Sequence, residues 1–255
     1  MTPEVQKKSS WRDTWESLVV TVILAIFGTT FVVQAFKIPT GSMENTLLIG
    51  DHLLVNKFCF AYQPGAIRHL LPYREIRHGD VLVFKFPGSE ESQEPGEHFV
   101  KRVIGFPGDR IRIVHRRVYV NGRELDEPYV HHSYVDQLRP GDDFPGDDDR
   151  GAPPGATTRW GEDLQQYIRD GELVVPPDSY FVMGDNREQS WDSRFWGFVP
   201  REIVSGRPLL IYWSFETPRD EYARTSLIDR LGQLADLVIH FVNKTRWRRT
   251  FQFVH

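Results

Sequence analysis

The sequence predicts a mainly β domain standing behind one N-terminal membrane helix, with an amphipathic helix at its C-terminal end. Three observations carry this reading. Residues 17–36, SLVVTVILAIFGTTFVVQAF, contain no charge. Beyond them, short apolar segments of strand length are punctuated by turns drawn from 20 glycines and 17 prolines. Near the end, Leu227, Ile228, Leu231, Leu234, Ala235, Val238, Phe241 and Val242 recur at 3.6 residues per turn.

Residues 1–16 form a polar tail. Lys7, Lys8 and Arg12 precede the uncharged run and only Lys37 follows it closely. The positive-inside bias therefore places the tail in the cytoplasm and the rest of the chain on the extracytoplasmic, periplasmic side. Residues 17–36 make the anchor, since twenty residues at about 1.5 Å each span a hydrocarbon core of ~30 Å. A buried core helix and a cleaved secretory signal are the alternatives. The apolar region of a signal usually runs ~7–15 residues, and the missing A-x-A site favours a retained, single-pass anchor in the cytoplasmic membrane.

Residues 37–219 read as the β domain, with strand-like pieces HLLVNKF, DVLVFKF, DRIRIVHRRVYVNG, SYFVMG and PLLIYWSF. Within it, residues 130–177 turn acidic and rich in proline and glycine, the composition of a solvated surface insertion, with one short helix over 161–170. Residues 220–255 hold the amphipathic helix, with Asp229, Gln233, Asp236 and His240 opposite its apolar stripe. Lys244, Arg246, Arg248 and Arg249 follow, interleaved with Trp247, Phe251 and Phe253. Such a segment either lies among membrane lipid headgroups or packs on its own domain. Asp229, Arg230 and Asp236 argue against a second span.

Composition narrows the function classes. A formal net charge of −4 gives no field directed at nucleic acid. One cysteine, Cys59, provides neither an intramolecular disulfide, a zinc cage nor a redox pair, and it reads as a small buried hydrophobe. His131-His132 and the aspartates after them miss the spacing of a calcium loop. No metal and no organic cofactor is expected.

Three blocks carry more polar chemistry than a β domain needs. In KIPTGSMENTLLIGD, residues 37–51, Ile38 is pushed to extended backbone by Pro39, and Gly41 permits a sharp turn. A serine exposed there, Ser42, can attack a carbonyl while its own backbone N–H helps to hold the oxyanion; a purely structural turn is the other reading. The motif is not the G-x-S-x-G elbow, because Glu44 stands where the second glycine belongs. A serine nucleophile needs a base, and none of nine histidines has a telling context, although His98 stays open. Lys101 is the better candidate. A lysine with a pKa near ~10.4 is neutral less than about one time in a thousand at pH 7, so it must be desolvated to act, and Phe99, Val100, Val103 and Ile104 supply that setting. Arg102 would press in the same direction on approach; an exposed, charged strand lysine is the alternative. The third block, YFVMGDNREQSWDSRFWG at 180–197, concentrates Asp185, Asn186, Arg187, Ser190, Asp192, Ser193 and Arg194. It is either a preorganised network or a salt-bridged corner.

Together, FKIPTGSMENTL, GDHLLVNK, GDVLVFKFP with KRVIGFPGD, and MGDNREQSWDSR resemble, in order and behind an anchor, the bacterial type I signal peptidases. These are membrane-bound serine proteases that remove signal peptides from exported proteins. The resemblance spans residues 36–216 and implies a signal-peptidase-like antiparallel β catalytic domain. It implies Ser42 as nucleophile and Lys101 as general base, with the Thr40 hydroxyl and the Ser42 N–H as oxyanion donors and Ser190 orienting the amine. Asp185, Arg102, Asp192 and Arg194 would be supporting charges. Phe36, Ile38, Met43, Leu47, Leu53, Phe99 and Val100 would line shallow pockets for the small residues of an extended signal peptide. Glu44-Asn45 replaces the usual proline-containing pair and sets a charge near the mouth of the site, and Thr40 stands where serine is common. Two other readings stay open: a self-cleaving Ser/Lys regulatory protein of the same fold, and a non-catalytic anchored module that binds export substrates.

Overall fold

The computed structural model describes residues 10–29, 33–57, 74–88, 97–132, 138–146, 151–219 and 226–254. Lys7, Lys8 and Cys59 lie outside them. The uncharged run is not one helix. Helix α1, Ser10–Phe27, begins among charged residues and ends nine residues before the run does. Its last described part, 33–36, belongs instead to strand β1, Val33–Lys37, paired with β2, Asp51–Asn56, from Val33 opposite Asn56 to Lys37 opposite His52. An uncharged stretch fits either state, and the β-branched Val33 together with alternating contacts along a neighbouring strand decides for β. With Arg12, Asp13 and Glu16 inside α1, no helix among the described residues is long and apolar enough to cross a membrane. Leu18, Val19, Val20, Val22, Ile23, Leu24, Ile26 and Phe27 of α1 are nonetheless exposed all round the helix.

The remaining strands are β3 (Val81–Lys85), β4 (His98–Gly105), β5 (Arg110–Val114), β6 (Arg117–Val120), β7 (Arg123–Glu124), β8 (Ile168–Arg169), β9 (Glu172–Val174), β10 (Ser179–Met183), β11 (Val199–Pro200), β12 (Val204–Ser214) and β13 (Gln252–Phe253). The helices after α1 are α2 (Thr158–Asp163), α3 (Ser193–Trp196) and α4 (Leu227–Lys244). All named strand pairs are antiparallel. The larger sheet runs β1-β2-β12-β3-β4-β10-β11, with β13 added to β12. The smaller runs β7-β6-β5-β9-β8.

Burial follows the residue pattern. In β2, Asp51, Leu53 and Val55 point inward and alternate with half-buried neighbours, whereas the continuous apolar run of β3 is buried on both faces. The strand β12 serves both halves of the larger sheet, pairing with β3 at Val204 and Gly206 and with β2 from Arg207 to Ser214. It can switch partners because Gly206 lets the backbones close: a Cβ there would stand 2.3 Å from the carbonyl oxygen of Asn56.

Strand order puts β2, β12 and β3 between β1 and β4, yet the ring of Phe36 in β1 lies 4.8 Å from that of His98 in β4. The sheet therefore curls until its first strand faces the start of its fifth, leaving a groove between them. Two further expectations are corrected. The short helix starts earlier, as α2, and passes into a 3₁₀ turn, Leu164–Tyr167, because Thr157 caps it by accepting from Trp160 N–H. Nor is 130–177 merely solvated. Phe144, Trp160, Leu164, Leu173 and Val175 are buried with Ile111, Ile113 and Phe181 between the sheets. Apolar residues set singly among aspartates carry no period, although each large one removed from water contributes about 2–3 kcal/mol.

Candidate active site

The turn that carries Ser42 is set by its neighbours. Ile38 N–H donates to Asp51 C=O and Gly50 N–H to Ile38 C=O, so the ladder of β1 continues past its end. Thr40 is extended, with φ −126° and ψ 156°, and the backbone then tightens into a 3₁₀ turn, Gly41–Met43. The far side of the turn is held by the third polar block. Asn186 N–H donates to Ser42 C=O at 3.1 Å and its Nδ2 to Gly41 C=O at 3.2 Å. Gly184 makes this approach possible: a Cβ there would lie 2.4 Å from the Ser42 carbonyl oxygen and 2.2 Å from Ser190 Oγ.

Lys101 comes from β4, where antiparallel pairing with β3 sets it opposite Leu82. Only 4% of the residue is exposed, and Ser42 is 9% exposed. The two side chains meet, Nζ to Oγ at 2.7 Å. Burial is the main influence on the amine and lowers its pKa to about 8, against the raising effect of Asp192 and Asp185 and with a lowering contribution from Arg194. The Phe99 ring, 5.6 Å from Nζ, is part of the dry wall.

Arg102, the next residue, points the other way, as strand alternation requires. It forks onto Asp185, Nε to Oδ1 at 2.8 Å and Nη2 to Oδ2 at 2.7 Å, and its guanidinium stacks 3.9 Å from the centre of the Tyr129 ring. Thr46 Oγ1 also donates to Asp185. Asp192 is fully buried; burial pushes its carboxyl up, but the charge and hydrogen bonds of Arg194 and the Gly184 N–H outweigh this and hold it below its ordinary value. The cation that presses on Lys101 is thus Arg194, not Arg102.

Of the apolar residues expected at the site, Phe36, Ile38, Met43, Phe99 and Val100 line the groove with Thr40, Ser42 and Lys101. Leu47 and Leu53 do not. Both are 0% exposed in the core beneath, where Asp51, Leu53 and Val55 share the inward face of β2. Ser190 is brought to the site, but its hydroxyl is buried without a hydrogen-bond partner among the described residues, packed against Gly184 rather than bonded to Lys101. Glu44 does not charge the mouth, because Asn186 Nδ2 and Arg219 Nη2 hold its carboxylate. Sequence reasoning missed Gln189 and Trp191, which also line the groove, and the buried Glu127–Arg187 pair behind it. The run of polar residues around Trp191 was the available signal.

Comparison with known proteins bears on this geometry. The model of the family "Signal peptidase, peptidase S26" matches residues 11–213. "Probable signal peptidase I-2" of Synechocystis is 34% identical over 82% of this chain and 77% of its own. Signal peptidase I of Pseudomonas aeruginosa is 33% identical over 74% of this chain and 68% of its own. A solved signal peptidase I from Enterococcus faecalis is 27% identical, covering 52% of this chain and 97% of that one with a TM-score of 0.37. With the family model spanning most of its length and these relatives beside it, the chain belongs to the signal peptidase family, peptidase S26, and is a peptidase.

Proposed function

We propose that this protein is a membrane-anchored serine endopeptidase that removes N-terminal signal peptides from exported preproteins through an acyl-enzyme on Ser42. The observation that carries the reading is the buried contact of Ser42 Oγ with Lys101 Nζ at 2.7 Å, around an amine whose pKa is lowered to about 8. The neutral amine takes the hydroxyl proton as Oγ attacks the scissile carbonyl. The Ser42 N–H and the Thr40 hydroxyl stabilise the oxyanion, and the Lys101 ammonium then protonates the leaving amine. A water deprotonated by the same lysine hydrolyses the ester.

The substrate lies extended in the groove between β1 and β4. The strand β1 is terminal in its sheet, and among the described residues β10 covers the edge of β4 only from Arg102 onward. Both edges offer backbone groups to an added strand, with Phe36, Ile38 and Val100 beside them for small side chains. The apolar surface all round α1 supports its place as the anchor. Catalysis needs neither metal nor cofactor in this scheme.

Incubation of the purified chain with a preprotein and with its Ser42→Ala and Lys101→Ala variants tests the proposal. Cleavage of the preprotein by the parent chain alone is expected. Cutting of the chain itself, with the preprotein intact, would indicate the self-cleaving reading; preprotein capture without cleavage would indicate a binding module.

A further inference from the structure

We infer that α4 and the segment behind it form a second membrane-contacting surface, lying flat in the headgroup layer rather than crossing it. The helix is turned inside out for a soluble protein. Leu227, Ile228, Leu231, Leu234, Val238 and Val242 are 57–81% exposed, and none of its residues is buried. Its half-buried positions are the polar ones, Asp229, Gln233, Asp236, His240 and Lys244, together with Leu237. The ordinary arrangement of a surface helix is the reverse.

The orientation is fixed from one end. Thr245 bridges to Phe215, Glu216 N–H donates to Lys244 C=O, and Arg246 N–H donates to Ser214 C=O. Phe241 packs 6.0 Å from Trp213. A capping box from Ser226 and Asp229 closes the other end, so the helix is complete without a partner on its apolar side.

What covers that side is indicated by the residues that continue it. Trp247, between Arg246 and Arg248, and Phe251 and Phe253, just beyond Arg249, are 55–73% exposed. Residues 226–255 hold five lysines and arginines against two aspartates; Arg246 and Arg249 turn into the domain and Lys244 is paired with Asp236, while Arg230 and Arg248 stay exposed. Aromatic rings beside cations fit the boundary of a bilayer with anionic headgroups, where an apolar helix face sinks ~5–10 Å. Asp229, Arg230, Asp236 and Lys244 keep α4 from spanning. The family match ends at residue 213, so this surface belongs to the chain's own C-terminal part. It stands whether or not Ser42 is the nucleophile.

The test uses the full chain with Cys59→Ser and one new cysteine, Val238→Cys on the apolar face or Gln233→Cys on the polar one, each carrying an environment-sensitive fluorophore. Both are bound to vesicles of phosphatidylcholine and phosphatidylglycerol containing lipids with a quencher near the headgroup. Quenching several-fold stronger at 238 than at 233, unchanged when the protein is diluted in lipid, is expected. Equal quenching at the two positions would overturn the inference. So would protection at 238 that is lost on dilution, because a second copy of the chain would then be the cover. Far-ultraviolet circular dichroism of both labelled chains confirms that α4 is retained.

Discussion

At the scale of the residue, Lys101 is asked to be two things at once, a group buried well enough to lose its proton and a member of a stable fold. Its folded pKa, lowered by burial from 10.5 to about 8, has a direct kinetic consequence. The neutral fraction grows with pH, so kcat/KM for a signal-peptide substrate should rise about tenfold per unit and level off near pH 8. Lys101→Arg should abolish this activity, since a guanidinium releases no proton at usable pH, and an arginine variant with substantial cleavage would refute the base. The same shift fixes the sign of the stability change. Between pH 8 and 10.5 the unfolded chain holds the proton more tightly than the folded one, so stability rises with pH through that window and the full penalty, about 3 kcal/mol, is present below it. Lys101→Met should remove that penalty but strand the Ser42 hydroxyl, which costs about 1–3 kcal/mol. A net gain on the order of 1–2 kcal/mol at pH 7, vanishing by pH 10, is expected in urea melts of the detergent-solubilised protein. An equal effect at both pH values would mean that desolvation of the amine is not its source.

At the scale of the element, the nucleophile turn is buttressed from a direction the motif does not reveal. Arg249 Nη2 donates to Asp51 Oδ2 at 2.7 Å and to Thr46 C=O at 2.9 Å, and Arg246 Nη1 donates to Ile49 C=O at 2.9 Å. Asp51 is 0% exposed. Arg249→Met should therefore destabilise by on the order of 3 kcal/mol, because among the described residues the buried carboxylate keeps as hydrogen-bond donors Ser214 and the Leu48 N–H, with no paired cation. Adding Asp51→Asn should recover part of the loss, and kcat should fall with Arg249→Met more than KM rises. Thermal melts and the kcat/KM split of single and double variants check this; full activity in the single variant would reduce the contact to decoration. Such contacts set the limit of what was legible. The turn at Ser42 could be read because Pro39 restricts the backbone before it and Gly41 frees it to turn, and Lys101 because its own neighbours in β4 desolvate it. Which arginine presses on that lysine could not be read, since it depends on β10 lying against β4 with Met183 opposite Arg102, which brings Asp185 to Arg102. Leu47 and Leu53 were misread for a related reason: sequence marks them apolar but not how deep they lie. The first strand was hidden inside an uncharged run that suits helix and strand alike.

At the scale of the whole molecule, the curl of the larger sheet matters more than any one strand. A flat sheet would hold β1 and β4 four strand spacings apart, at roughly 4.8 Å each, and Ser42 could not reach Lys101. Twist, the partner switch of β12 at Gly206 and the packing of Ile38, Met43, Val81 and Val83 in one core bring the two edges together instead. The contact of Phe36 with His98 closes one part of the groove, and the peptide must enter beside it. This architecture makes a spatial prediction for substrate binding. In the inactive Ser42→Ala variant saturated with a signal peptide, those backbone amides within 36–38 and 98–101 that point into the groove, away from β2 and β3, should exchange with deuterium at least several-fold more slowly, because an added strand supplies their missing partners. Amides of β5, β6 and β9 in the smaller sheet should be unchanged, as that sheet lies behind the core around Phe144 and Phe181. Hydrogen exchange read by mass spectrometry resolves both regions in one experiment. Slowing confined to the smaller sheet, or none along β4, would place the substrate elsewhere and leave the open edges of β1 and β4 without an occupant.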